Sequence, residues 1–354
     1  MVDGAGKSLV LVLGAGASKE VGLPLGGELT KQIASVLSFR ERENGDSDLA
    51  NLRIRQALSQ LVQVPQGQPQ DMNLLMRACG VIKDAMPLAR SIDNFIDCHR
   101  SDKQIAICGK LAIASCILEA ERMSGLMVDR SNIYNTILFE SLESSWFTAF
   151  FNLLTDRCDK NEVADNFRRV AIISFNYDRC IEHFLHAALQ RLYRESPEWA
   201  TEVMKALDIY HPYGRVGALP WMAQSGEIEY GAVPNGPQLL GISRQLLTFT
   251  EGTDARKSDI ECIRRDIAGA ERLAFLGFAF HELNLELLFD GRFGINEHCH
   301  RPIFATAFGI SEANVEAIKR ELAKRSKRRR DQYFIRTDIK CAGLFHEFGR
   351  SLSL

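Results

Sequence analysis

The feature that most constrains this chain is a stretch near its start, in which a short apolar run meets a group of small residues. Leu9–Leu13 contains only leucine and valine, and Gly14–Ser18 follows at once. An apolar run of this length that ends in glycine predicts a strand buried on both faces of a sheet. Small residues after such a strand let backbone N–H groups approach a phosphate closely. The stretch therefore predicts the first strand and phosphate loop of a dinucleotide-binding fold.

The glycine-rich loop is an incomplete form of the dinucleotide fingerprint G-x-G-x-x-G. Lys19 stands where the third glycine would be, and the loop continues through Gly22-Leu23-Pro24. A tight strand-to-helix turn in any α/β protein gives the same short pattern. The loop by itself therefore leaves both interpretations open.

Later apolar runs predict the remaining strands of a sheet. These runs are Val170–Phe175, Leu207–Tyr210, Arg272–Gly277, Pro302–Ala307 and Tyr333–Ile335. Helical spacing of apolar residues separates them, at Leu25–Phe39, at 179–193, at 260–270, at 278–289 and after Ser311. Strands that alternate with helices predict an α/β fold with a Rossmann-like, doubly wound parallel sheet.

A long segment without strand signals interrupts this alternation. Residues 41–164 have helical spacing, with predicted helices at Ile105–Met123 and Ile133–Leu154, and Ser91 as a helix cap. The sequence therefore predicts a nucleotide-binding domain made of residues 1–40 and 165–354, with 41–164 as a helical insertion. Whether the insertion gates a pocket or builds an interface stays open.

Composition and cysteine usage narrow the class of protein. The chain has 354 residues, of which 46% are hydrophobic and 25% charged, so it can bury a sizeable core. Its net charge of −2 excludes a strong electrostatic footprint for nucleic acid. Nine scattered cysteines without a C-x-x-C pair indicate a reducing compartment. Since no apolar stretch is long enough for a membrane span or a signal peptide, we expect a soluble, cytoplasmic protein.

Unusual residues follow four of the predicted strands. The carboxyl ends of parallel strands meet at one edge of a sheet, and ligands bind there in doubly wound folds. The topology therefore brings together Gly14–Ser18, Asn176–Asp178, His211 and Gly277–Asn284.

These stretches, taken together, resemble the sirtuin family. The matching segments are GAGAS at 14–18, GLP at 22–24, FNYD at 175–178, the histidine of IYHPYG at 209–214 and LGFAF at 276–280. They occur in the order of the family and span most of the chain. The pattern is most similar to bacterial sirtuin-like proteins of antiviral defence, which carry a helical insertion and hydrolyse NAD.

The resemblance implies an NAD glycohydrolase that releases nicotinamide and ADP-ribose and depletes NAD during phage infection. An imidazole titrates near neutral pH, so His211 is the natural general base, acting on water directly or through a ribose hydroxyl. Asn176 would hold ribose hydroxyls and that water, and Asp178 would orient the ribose. The implied NAD-binding residues are Gly14, Ala15, Gly16, Ser18, Gly22, Leu23, Pro24, Asn176, Asp178, His211, Gly277, Phe278 and Asn284. Ala15, Gly16 and Ser18 would contact the pyrophosphate, and Gly277, Phe278 and Asn284 the adenosine.

The chain departs from protein-deacylating sirtuins in its cysteines. Their zinc ribbon of two C-x-x-C pairs follows the catalytic histidine, whereas no cysteine lies between His211 and Cys262 here. The triplet His298–His300 is no substitute, because adjacent residues cannot converge on one tetrahedral metal. We therefore expect no zinc. A non-catalytic sensor of NAD or ADP-ribose and a zinc-free, NAD-dependent protein deacylase remain as alternatives.

Expected partners follow from the resemblance and from one charged segment. An uncontrolled NAD hydrolase would be toxic, so we expect control through a homo-oligomer or an activator such as a HerA-type DNA-translocating ATPase. The basic run Lys319–Arg330 fits a solvated helix end or a patch for an acidic partner or nucleic acid. It lacks interleaved aromatic residues, so stacking on bases is not indicated.

Overall fold

The molecule is built around one sheet of parallel strands. In the computed structural model the described residues are 6–39, 49–63, 71–128, 136–224, 226–254, 259–289, 301–326 and 332–354. Within these ranges the six strands are β1 (Leu9–Leu13), β2 (Val170–Ser174), β3 (Asp208–Tyr210), β4 (Arg272–Leu276), β5 (Ile303–Thr306) and β6 (Tyr333–Arg336). They lie in the order β3-β2-β1-β4-β5-β6, and all pairs are parallel. This order is that of the Rossmann fold, so the predicted fold class is confirmed.

The strand order reverses between β1 and β4, and this junction defines the edge at which a ligand would bind. Leu13 is in register with Ser174 on one side and with Leu276 on the other. The loops that follow these three strands therefore begin at the same level. The sequence placed every strand within about two residues, because each is an apolar run that ends in glycine or polar residues.

Helices cover both faces of the sheet. Those outside the insertion are α1 (Ala15–Lys19), α2 (Gly26–Val36), α9 (Cys180–Tyr193), α10 (Pro197–Met204), α11 (Gly236–Ser243), α12 (Phe249–Gly252), α13 (Ile260–Gly269), α14 (Glu282–Leu288), α15 (Glu312–Ser326) and α16 (Cys341–Leu352). The insertion contributes α3 (Leu49–Gln63), α4 (Met72–Ala85), α5 (Ile92–Cys98), α6 (Lys103–Arg122), α7 (Trp146–Thr155) and α8 (Val163–Arg168). None of these helices is long and apolar enough to cross a membrane.

Two predicted helices begin later than the sequence indicated. The segment predicted as one helix, Ile133–Leu154, instead forms a 3-10 turn at Phe139–Leu142 and then α7. A new helix begins at Trp146 because the Ser145 hydroxyl caps it by accepting from the Thr148 amide. The first residues of the predicted segment, 133–135, lie outside the described ranges. The predicted helix from 278 begins only at Glu282, because Phe280 has a left-handed φ of 53°. Ser91 caps α5 as predicted, accepting from the Asn94 amide at 3.1 Å.

The insertion shares the hydrophobic core of the sheet. Buried side chains of α3, α4 and α5 pack with Val10 and Val12 on one face of β1, and those of α7 and α8 pack with Leu9 and Leu11 on the other. Helix α6 contributes to both cores, through Ile105–Leu118 on the first face and Ala120 on the second. The insertion therefore completes both layers around the sheet.

Candidate functional site

The loops after β1 and β4 interlock through their backbones. The amides of Gly14 and Gly16 donate to the carbonyl oxygens of Leu276 and Gly277, each at 3.0 Å. Gly277 has a φ of 56°, and a Cβ on it would lie 2.3 Å from the Ala17 nitrogen, so only glycine fits. The Gly16 amide, which the sequence assigned to a phosphate, is thus bonded to Gly277 in this structure.

Asn176 joins the end of β2 to this interlocked pair of loops. Its side-chain amide donates to the Gly14 carbonyl oxygen at 3.0 Å and to the Ser18 hydroxyl at 2.9 Å. Its side chain and that of Ser18 are buried. Two stretches more than 150 residues apart in the chain therefore meet through one side-chain amide, as the sheet topology predicted.

Asp178 is buried at the start of α9. Its carboxylate accepts from the Cys180 amide at 3.1 Å, which satisfies a donor in the first turn of the helix. Burial raises the pKa of Asp178, although hydrogen bonds from Cys180 and Ser18 act in the opposite direction. The side chain therefore both accepts from the first residue of α9 and lies beside the Ser18 hydroxyl.

His211 follows β3 and contacts both the β2 loop and α9. Its Nδ1 lies 3.1 Å from the Asn176 backbone oxygen, and its Nε2 lies 2.8 Å from Oε1 of Glu182. Both nitrogens face oxygen acceptors, so this arrangement fits the doubly protonated ring. A histidine in this state cannot accept a proton until one of the two bonds changes.

Glu182 is a site residue that the sequence reasoning missed. Burial by itself would raise the pKa of its carboxyl, but attraction to His211 and Arg215 outweighs burial and the pKa is lowered. Its second oxygen, Oε2, is buried and has no hydrogen-bond partner within the described residues, an arrangement that costs about 1–3 kcal/mol. The only local signal was an acidic residue in the first turn of the helix that follows Asn176–Asp178.

The three residues expected to contact the adenosine have different surroundings in the structure. Gly277 forms the interlock, whereas Phe278 is 3% exposed and packs in an aromatic cluster with Phe175, Phe275 and Phe280. Asn284 is held by the Tyr213 hydroxyl, which donates to its Oδ1 at 2.5 Å. In this structure Phe278 therefore belongs to the hydrophobic core, and Asn284 to a pair with the loop after β3.

The remaining loop residues contact the insertion. Gly22 has a φ of 100° and is exposed, while Leu23 and Pro24 are buried. The amide of Gly125, just after α6, donates to the Val21 carbonyl oxygen at 3.0 Å. The end of α6 is therefore bonded to the second half of the glycine-rich loop.

Helix α5 closes over the middle of the site. The hydroxyl of Tyr177, between Asn176 and Asp178, donates to the Asp93 carboxylate. Burial of that carboxyl group raises its pKa, and the bond from Tyr177 acts against this rise. The insertion is thus in direct contact with the segment that carries Asn176.

This contact predicts a pH dependence of stability. Because the folded protein holds a proton on Asp93 more tightly than the unfolded chain does, stability falls as pH rises from the ordinary aspartate range of about 3.9 through the raised pKa. We expect Asp93→Asn to remove part of this fall. Tyr177→Phe should make the fall larger, since one of the hydrogen bonds that oppose the effect of burial is then lost. Urea unfolding between about pH 4 and pH 8 measures the free energy of unfolding of both variants. The same change of this free energy with pH in wild type and Asp93→Asn would contradict the prediction.

A buried ion pair anchors α9 to the insertion. The Arg179 guanidinium bonds both carboxylate oxygens of Glu121 on α6, and both side chains are fully buried. Arg179 also donates to the carbonyl oxygens of Ile228 and Glu229, and Glu121 accepts from the Gly231 amide. With all its partners present, the pair fixes α9 and the loop after β3 relative to α6.

Two clefts are lined by helices and not by the residues at the strand ends. One, of about 660 Å³, lies between α7 and α16 and is lined by Ser145, Asn152, Asn166 and His346 among others. Another, of about 470 Å³, lies between α3 and Pro237. Neither contains a residue that the sequence placed at the NAD site. The site residues are instead packed closely, with Ser18, Leu23, Asn176 and Asp178 buried.

The predicted basic run lies partly in α15. Among the residues that the structure describes, no three His, Cys, Asp or Glu side chains are grouped to hold a metal ion, and His298–His300 lies outside them. In α15, Lys319 pairs with Glu316 at 3.1 Å, and Arg325 pairs with Glu321. The last basic residues, 327–330, are outside the described ranges.

No family model matches the chain, and no curated protein matches it significantly. The interpretation of the site therefore depends on its geometry and on the resemblance carried by the motifs.

Proposed function

We propose that this chain is an NAD glycohydrolase acting at the carboxyl edge of its sheet. The observation that carries the proposal is the convergence on Asn176. Its side chain contacts Gly14 and Ser18, and its backbone oxygen contacts His211. Three strand ends thus present a glycine loop, an amide, a carboxyl and an imidazole at the point where doubly wound sheets bind nucleotides. The sirtuin-like order of these motifs supports NAD as the nucleotide.

The reaction needs few groups. Water attacks C1′ of the nicotinamide ribose, the C1′–N bond breaks, and its electron pair neutralises the pyridinium ring as nicotinamide leaves. The transition state has oxocarbenium character, so positioning of the ribose and acceptance of the water proton are the main tasks. Asn176 and Asp178 would position the ribose, and His211 would accept the proton after exchanging one of its present partners.

A second candidate function is that of a sensor that binds NAD or ADP-ribose without turnover. The specific observation in its favour is that both ring nitrogens of His211 are bonded within the protein. A site of this kind would bind ligand through the loops and leave the glycosidic bond intact. The biological expectations, namely NAD depletion against phage, a homo-oligomer and a HerA-type ATPase as activator, follow from the resemblance alone.

The test is incubation of the purified chain with NAD, alone and with a HerA-type ATPase, while nicotinamide and ADP-ribose are quantified by chromatography. We expect turnover by wild type and a fall of about 10²–10⁴-fold in His211→Ala, the usual contribution of a general base. Asn176→Ala should be similarly impaired. His346→Ala is the matched control, because this histidine is exposed and lines the cleft between α7 and α16, which contains none of the proposed site residues.

Three results would contradict the proposal in different ways. Binding of NAD without release of nicotinamide would favour the sensor. Nicotinamide released only in step with deacylation of an acyl-lysine peptide would favour the deacylase. No binding of NAD or ADP-ribose by calorimetry would remove the nucleotide assignment.

A further inference from the structure

Glu182 is a buried carboxylate for which the proposed reaction has no role so far. Its side chain is 1% exposed and that of His211 is 5% exposed, so their 2.8 Å contact is shielded from solvent. Few charged groups surround it. Arg215 lies 3.6 Å from the same oxygen, and Arg179, at the start of the same helix, is neutralised by Glu121. The carboxylate is therefore directed at the imidazole.

The two bonds of His211 differ in kind. The contact between Nε2 and Glu182 is shorter and joins an ionised acceptor, whereas the contact between Nδ1 and the Asn176 backbone oxygen is 3.1 Å long and joins a neutral acceptor. Charge-assisted hydrogen bonds are about twice as strong as neutral ones. Nδ1 is therefore the nitrogen that exchanges its partner at lower cost.

We infer that Glu182 is the positioning residue of His211, holding its Nε2–H while Nδ1 exchanges the Asn176 carbonyl for the attacking water or a ribose hydroxyl. The inference rests on the proposed function. On this exchange the Nδ1 proton passes to solvent and leaves a lone pair toward the ribose. As the water oxygen bonds to C1′ and nicotinamide leaves with the electron pair of the broken bond, Nδ1 accepts the water proton. Glu182 then stabilises the imidazolium, as the carboxylate does in a catalytic triad.

The pair makes a prediction that a structural role would not share. In Glu182→Gln the neutral side chain no longer stabilises the imidazolium, so the ring loses its proton at a lower pH. We expect the acid limb of the pH–rate profile for nicotinamide release to move to lower pH, and the plateau rate to fall about 10-fold or more. Glu182→Asp keeps the charge, so its acid limb should stay near that of wild type. If Glu182 had only a structural role, the lost packing contact would lower the rate by the same factor at every pH.

The matched control is Asp266→Asn. Asp266 is also buried and accepts at 2.9 Å from the hydroxyl of Tyr210, the residue before His211. Removal of its charge tests whether any buried carboxylate near the end of β3 affects the profile. We expect the acid limb of the pH–rate profile of Asp266→Asn to be the same as that of wild type.

A second readout is independent of turnover. Two-dimensional ¹H–¹⁵N spectra of the imidazole nitrogens report on the contact between Nε2 of His211 and Glu182, so the His211 nitrogen shifts should change in Glu182→Gln and stay near those of wild type in Asp266→Asn. An unchanged acid limb and unchanged nitrogen shifts in Glu182→Gln, with wild type active, would overturn the inference and leave the proposed function intact. Wild type that binds NAD without releasing nicotinamide would overturn both.

Discussion

Replacing Gly277 with alanine is expected to destabilise the protein by about 2–5 kcal/mol. The left-handed backbone contributes about 1–2 kcal/mol of this cost, and the added methyl group, placed 2.3 Å from the Ala17 nitrogen, contributes about 1–3 kcal/mol through overpacking. The clash is with backbone, so no side-chain rotation relieves it. Because the loops after β1 and β4 must separate, binding of NAD or ADP-ribose should weaken as well.

Gly309→Ala is the control for Gly277→Ala. Gly309 also has a left-handed φ, of 77°, but a Cβ there would meet no atom within 4 Å. Gly309→Ala should therefore lose only about 1–2 kcal/mol of stability, which is the cost of the left-handed backbone. Urea unfolding of both variants isolates the clash as the difference between them. Equal losses of stability would show that the two loops do not interlock.

Removing one partner of the buried pair between Glu121 and Arg179 is the second large effect that we expect. Glu121→Ala leaves a buried guanidinium without its carboxylate, and such an unpaired charge costs about 3–5 kcal/mol. The Gly231 amide and the Arg179 amide also lose their acceptor. Helix α9 should then be displaced from α6, and the position of Glu182, three residues after Arg179, would be disturbed.

A double-mutant cycle separates this pair from general packing. Glu121→Ala, Arg179→Ala and the double variant should show a coupling energy of up to about 3 kcal/mol in the free energy of unfolding. The exposed pair between Glu202 and Lys205 provides the comparison, and Glu202→Ala should cost at most about 1 kcal/mol. Strictly additive effects at Glu121 and Arg179 would contradict the proposed anchoring role.

The sequence was sufficient for the sheet and for the convergence of its strand ends. Buried parallel strands are continuous apolar runs, so their positions could be predicted locally, and their shared direction brought Gly14, Asn176 and His211 together. The helices α11 and α12 are not among the helices predicted from the apolar spacing of the sequence. Their capping boxes, Asn235 with Gln238 and Thr248 with Glu251, were visible signals that could have identified them.

The contacts that define the site could not be predicted in the same way. Glu182 pairs with a histidine 29 residues away, and Tyr177 bonds an aspartate 84 residues away. Nothing in the local sequence marks either partnership, because both depend on how α9 and α5 pack over the loops. The buried position of Phe278 has the same origin, since three other aromatic rings surround it.

The interlocked loops have a mechanical consequence for the crevice between β1 and β4. Two backbone hydrogen bonds and a glycine contact without spare room join the loops after β1 and β4 at its floor, so spreading the strands there would break all of these contacts. Any widening must come from the elements above the floor, where Tyr177 meets Asp93 and Tyr213 meets Asn284. The insertion contributes Asp93 to the first of these contacts, so helix α5 is the part of the insertion that borders the crevice.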